Sequence, residues 1–321
     1  MACPERIRST IFRLTASTIV ALIIAISLEA QESTPPDIPA ASLVRTTIAN
    51  EVAAASHPNP LHMFRSRKQT PKGTQTRLYV ETNDALAAIL IAVNDRPPTA
   101  QQQQAENGHL EWLTNNPDQL RRKHAHEKED NERTMRILKA LPDAFQYEYD
   151  GTVMGVRGTG EAGVPLAKLK FSPNPSYSPP SRVEQVLEGM QGSLLIDTRL
   201  RRVAEINGTL FRDVSFGWGI IGRLDKGGHF LVRQGDIGLG DGEWGITELK
   251  LDITGKILMF KGISMISDEV LSDFRIVGKS LTFAQGVELL RTEQEKLAHD
   301  PHREPTSEAR KTESQQTPPQ R

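Results

Sequence analysis

From residue 145 onward the sequence breaks into short runs in which apolar and polar side chains alternate, separated by Gly, Pro, Asn and Asp, and this texture limits the fold more than any other feature. The runs fall at 145–151, 153–157, 165–171, 192–197, 202–207, 228–237, 246–253, 257–263 and 273–277. Alternation with period two marks a strand that buries one face and wets the other. Leu249, Leu251 and Ile253 alternate in this way with Lys250 and Asp252, as do Leu169 and Phe171 with Lys168 and Lys170. The spacings are those of consecutive hairpins, with no helix-length pattern between them to carry a parallel crossover. An antiparallel sheet is predicted.

The preceding part is helix-rich. Ile38, Leu43, Val44, Ile48 and Val52 recur at three- and four-residue spacing and give one helix an apolar face. Residues 56–73 read as irregular, and 74–82 with 85–93 as a hairpin turning at Asn83-Asp84. The second of these strands, ALAAILIAV, is apolar on both faces and should be covered on both. Thr99 and Gln102 form a capping-box pattern that opens a helix through Trp112. Asn116-Pro117 starts another, expected to end at Leu141 ahead of Pro142, whose charged middle (RRKHAHEKEDNER) predicts a solvated stalk or lid. Phe283, Val287, Leu290 and Leu297 predict a C-terminal helix over 281–298, and the polar stretch 299–321 predicts a disordered tail.

Arg6, Arg8 and Arg13 precede a charge-free run over residues 14–28, which Glu29, Gln31 and Glu32 close before it is long enough to span a bilayer. Residues 1–30 are therefore expected to be a secretory signal peptide, cut after Ser27 or Ala30, leaving no transmembrane span. Residues 31–298 should then form one domain, helix-rich over 38–141 and β-rich over 145–277. The single cysteine, Cys3, would leave with the signal, so disulfides, thiolate catalysis and cysteine-bearing zinc sites are excluded from the mature chain. With 39 Lys and Arg against 40 Asp and Glu in 321 residues, the chain lacks the basic excess of a nucleic-acid binder.

Motifs that carry chemistry are few. His124 and His126 are two residues apart, on different sides of a helix, and no second histidine completes a zinc-protease pattern after His126-Glu127. No metal site or cofactor is expected. GVRGTG (155–160) and GLGDG (238–242) are not followed by Lys-Ser/Thr or by a helix and read as hairpin turns rather than phosphate loops. No G-x-S-x-G elbow occurs. Asp197, Glu205, Asp236, Asp241 and Glu243 sit at strand ends, where solvated turns are the ordinary reading and a catalytic carboxylate pair the alternative. In FRDVSFGWGIIG (211–222), large rings lie among three glycines, which suits a core plug or the wall of an apolar cavity.

The run FSPNPSYSPPSRVEQVLEGMQGSLLIDTRLRRVAEINGTL with DVSFGWGIIGRLDKGGHF resembles a group of secreted bacterial proteins of unassigned function associated with the lipoprotein-carrier superfamily of bacterial envelopes, over roughly residues 145–277. The resemblance implies an α+β fold, a curved antiparallel β half-barrel with helices covering the concave face, and a cavity that takes acyl chains. On that basis the chain is expected to be a non-enzymatic exported envelope protein, periplasmic or extracellular, that binds or carries an apolar or amphiphilic ligand such as a lipid. The candidate lining is Phe145, Tyr147, Tyr149, Leu169, Phe171, Phe216, Trp218, Leu249, Leu251 and Ile253. Two alternatives stand beside it: a module that docks an envelope protein partner through a sheet edge or the charged helix, and a carboxylate-dependent hydrolase.

Overall fold

A computed structural model describes residues 38–56, 60–217, 222–240, 243–257 and 261–299. The expected signal peptide, the tail beyond residue 299, Cys3, Trp218 and Asp241 lie outside these residues. The described residues belong to a unit spanning 34–321.

The chain begins with helix α1 (Ala40–Ser56), followed by the meander β1 (Leu61–Thr70), β2 (Gly73–Val80) and β3 (Ala87–Val93). Helices α2 (Ala100–Asn115) and α3 (Pro117–Ala144) come next. Then follow β4 (Phe145–Met154), β5 (Pro165–Pro173), the one-turn helix α4 (Arg182–Gln185), β6 (Met190–Asp197) and β7 (Arg202–Leu210). Two short strands, β8 (Val214–Phe216) and β9 (Gly222–Leu224), precede β10 (His229–Asp236), β11 (Trp244–Ile257), β12 (Lys261–Gly278) and helix α5 (Phe283–His299). Ten strands form one open sheet in the order β3-β2-β1-β12-β11-β10-β7-β6-β5-β4, with β9 joined to β11 and β8 to β9. Every pairing between named strands is antiparallel, as the hairpin texture predicts. The sheet does not close, since β3 and β4 have no common ladder.

Several boundaries differ from the sequence expectation. Residues 61–70, expected to be irregular, form β1, a central strand between β2 and β12. Its cations are held by ion pairs from neighbouring segments: Arg65 to Asp273, Arg67 to Asp95 and Lys68 to Glu269. The two runs expected at 145–151 and 153–157 give one strand, β4, which is interrupted by a bulge between Tyr149 and Thr152 and ends at Met154, and β12 absorbs the separate run expected at 273–277. Ile257 pairs with Lys261, so the strand expected at 257–263 spans the junction of β11 and β12. Helix α3 includes Pro142 in its last turn. That end is stable because its orphan carbonyls find donors: Tyr147 Oη donates to Leu141 O, Asn174 Nδ2 to Asp143 O and the Asn174 N–H to Ala144 O. The capping box at Thr99 and Gln102 is present as read.

Directly opposed residues of an antiparallel pair share a face, so the register can be followed across the sheet. One row runs Arg67, Val270, Glu248, Arg233, Glu205, Leu195, Lys168. The adjoining row on the other face runs Lys68, Glu269, Leu249, Val232, Ile206, Leu194, Leu169, Tyr149. Met63, Leu78, Val80, Ala87 and Ile89 lie on the Arg67 face and pack with Leu110 and Leu113 of α2 and Phe283, Val287 and Leu290 of α5. The larger core lies on the Lys68 face. There Phe145, Leu169, Phe171, Leu194, Ile196 and Leu210 pack with Leu43, Val44 and Ile48 of α1 and Leu141 and Ala144 of α3. Helices thus cover the two ends of the sheet from opposite sides.

Two glycines shape the larger core. A Cβ on Gly208 would lie 2.1 Å from Phe230 Cε1, and one on Gly192 would lie 1.9 Å from Asn207 O. The Phe230 ring therefore lies flat over backbone, in a lane that no other residue leaves open.

Candidate functional site

Helix α1 is fastened at one end of the sheet by Glu51, a buried carboxylate that accepts from Arg202 Nε (3.0 Å), the Val203 N–H (2.7 Å) and Gln234 Nε2 (2.9 Å). At its other end Tyr149 Oη donates to Ile38 O. Helix α3 starts beside α2, and Glu127 Oε2 accepts the Leu86 N–H at the start of β3. Its far end packs with α1 in the larger core. Between these two anchors the middle of α3 stands away from the sheet.

The space beneath it is an open cleft of about 1250 Å³. Val52, Ala55, Leu61, Phe64, Ala85, Leu86 and Met135 supply its apolar surface. Phe64 is stacked between Tyr79 and Phe274 at centroid distances of 5.3 and 5.5 Å, which fixes the floor. The polar side comes from His124, Glu127, Lys128, Glu132, Arg136 and Lys139 along α3, with Glu81 opposite. Glu81 is occupied: its Oε2 accepts the His62 N–H and lies 3.0 Å from His62 Nδ1, while His62 Nε2 lies 2.9 Å from Glu243 Oε1. Along the same face Ser66 donates to Glu269 (2.6 Å), and the Tyr79 hydroxyl is pushed up by burial and by the Glu269 carboxylate, against the pull of Arg77.

A second, smaller slot of about 330 Å³ lies at the opposite end of the strands, walled by Val183, Phe216, Leu224, Ile257 and Ile263. Between the two spaces, Ile206, Val232, Leu249 and Leu251 line the same face half-buried.

The structure distributes the sequence-derived lining residues over three settings. Phe145, Leu169 and Phe171 are buried in the larger core, with Tyr147 and Tyr149 packed against it. Burial raises the hydroxyl pKa of both tyrosines, Asp143 adding to the effect at Tyr147. Leu249 and Leu251 lie in the half-buried row and Ile253 is buried, while Phe216 walls the small slot. The residues that form the large cleft were not singled out from sequence, apart from His124 and Glu127 in the charged helix. They come from four separated segments, and only the unusually polar α3 gave a signal.

The strand-end carboxylates are engaged locally. Asp197 is fully buried: its Oδ1 accepts the N–H groups of Arg199 and Leu200 at the β6–β7 turn, and its Oδ2 has no hydrogen-bond partner among the described residues. Glu205 and Glu248 bind Arg233 from either side, and Asp236 accepts the Gly238 N–H. His126 and Asp130 are exposed on α3 at 4.0 Å, and among the described residues no cluster of three metal-ligating side chains occurs. No helix among these residues is long and apolar enough to cross a membrane.

No family model and no curated protein matches the chain. The solved structures that match it include two of low overall similarity. One is a DUF1329 family protein from Desulfovibrio piger, at 8% identity and a TM-score of 0.26 over 75% of this chain and 94% of that one. The other is a "putative outer membrane lipoprotein-sorting protein domain" from Vibrio parahaemolyticus, at 9% identity and a TM-score of 0.29 over 78% of this chain and 99% of that one. Function has to be argued from the cleft itself.

Proposed function

We propose that this is a non-enzymatic, exported envelope protein that binds an amphiphilic ligand, a lipid or other acylated molecule, in the cleft between α1, α3 and the sheet. The observation that carries the reading is the cleft: about 1250 Å³ with an aromatic and aliphatic floor under a polar helix. That size exceeds the common range of small-molecule pockets, and the two-sided chemistry suits a ligand with an apolar tail and a hydrated end. Burying a chain on such a floor is favourable by about 25 cal/mol per Å² of apolar area removed from water. A binding role is supported by the local engagement of two of the strand-end carboxylates, Asp197 Oδ1 with the turn N–H groups and Glu205 with Arg233.

The test is native mass spectrometry of the purified protein, with organic extraction and identification of any copurifying molecule. An acylated species bound at one equivalent, displaced by added amphiphile, is the expected result. A ligand-free protein that takes up no amphiphile of any head group overturns the reading.

A further inference from the structure

We infer that the cleft selects amphiphiles with an anionic head, which Lys128, Arg136 and Lys139 of α3 hold above the apolar floor. The inference rests on the reading of the cleft as an amphiphile site and names the chemistry of its ligand. The three cations lie on the helix face that lines the cleft, and their side chains are exposed. Among the described residues no carboxylate lies within 4.0 Å of any of them, whereas other cations of α3 are paired: Arg121 with Asp118, Lys123 with Glu127, and Arg133 with Glu129 and Asp130.

The lining also contains three carboxylates, and their state decides the sign of the field. Glu81 is held by His62, and Glu127 by Lys123 and the Leu86 N–H. Glu132 has no ion pair, and a neutral His62 leaves the charge of Glu81 in place, so three unpaired cations face two carboxylates and the cations remain in excess. An anionic head placed among them gains from charges whose desolvation is slight, because they sit at the rim, while the tail lies on Leu61, Phe64 and Leu86 below. A neutral head of the same chain length has no equivalent partner, and a cationic head meets the excess of like charge.

Calorimetric titration with dodecanoate, dodecyl maltoside and acetate tests this on the protein and on two variants, Lys128→Gln/Arg136→Gln/Lys139→Gln and Glu132→Gln. Dodecanoate should bind more tightly than dodecyl maltoside, and acetate not measurably, since the apolar floor supplies most of the affinity. The triple substitution should weaken dodecanoate about tenfold and leave dodecyl maltoside unchanged, and Glu132→Gln should strengthen dodecanoate. All four substituted positions are exposed, so folding is not at stake, and circular dichroism verifies it. Equal affinity for the two amphiphiles, or a triple variant that binds dodecanoate like the parent, overturns the head-group inference while the amphiphile site stands. Binding of neither amphiphile overturns both.

Discussion

The row Lys68, Glu269, Leu249, Val232, Ile206, Leu194, Leu169, Tyr149 crosses one face of the sheet, and its two ends have different fates. Over β5 and β6 the helices lie down on the strands, and Leu194 and Leu169 are fully enclosed. Over β10 and β11 the same face carries half-buried aliphatics, and at β1 and β12 it turns to the ion pair of Lys68 with Glu269, of which Lys68 is exposed. The difference follows from how each helix is tethered. Helix α1 is drawn onto the strands by a buried carboxylate and an apolar stripe, whereas α3 is polar through its middle and is held at Glu127 by the Leu86 N–H and at its C-terminal end by the larger core. A closely filled end contributes folding stability; an unfilled end contributes little and leaves area for a ligand.

The filled end should be the most sensitive to truncation. Leu169→Ala removes a side chain with 0% exposure among Tyr149, Leu194 and α1, and should cost about 3 kcal/mol in denaturant unfolding. A value below about 1 kcal/mol would mean that this end is loosely packed and the contrast false. Gly208→Val probes the same end by overpacking. The added Cβ meets the Phe230 ring at 2.1 Å, and a loss of about 2 kcal/mol is expected, largely relieved by Phe230→Ala in the double variant.

This contrast was only partly legible in the sequence. The antiparallel meander was, because alternation in runs such as Leu249-Lys250-Leu251-Asp252 encodes a strand locally. Strand β1 was not: its alternation is masked by Arg65, Arg67 and Lys68, whose carboxylate partners Asp273, Asp95 and Glu269 lie far along the chain. The division of helices between two faces was hidden for a related reason, since it depends on register through β12. Large alternating apolar residues such as Phe171 and Leu169 stand out in a sequence whether they fill a core or line a void. The cleft is defined by the stand-off of α3, which no residue pattern specifies alone.

An intermediate effect is expected where α5 docks on the opposite face. Glu293 receives Arg275 Nη2 at 2.7 Å and Lys296 Nζ at 2.9 Å, and these bonds hold its carboxyl below the ordinary value of 4.5 despite partial burial. A pKa lowered on folding adds stability that is complete above the unfolded value and is lost as pH falls through the folded one. Because Arg275 and Lys296 are mostly exposed, Glu293→Gln should cost about 1 kcal/mol at pH 7. The difference between parent and variant should close as pH drops below 4.5, measured by urea unfolding at several pH values. A difference independent of pH would assign the loss to packing instead.

The smallest effect on folding, and the sharpest test of the contrast, is expected from Ala55→Trp. Ala55 is exposed near the end of α1 and faces the cleft. An indole there points into open space, needs no neighbour to move and removes some of its own area from water against the apolar floor. Unfolding free energy should therefore change by less than about 0.5 kcal/mol, against about 3 kcal/mol for Leu169→Ala on the same sheet face. Amphiphile binding should nevertheless be lost, because the ring occupies the surface that the ligand tail would cover. Stability spared and binding abolished in one variant would separate the two ends by their roles. A large loss of stability would show instead that the cleft closes in solution, with α3 down on the sheet and its space already filled by the protein's own side chains.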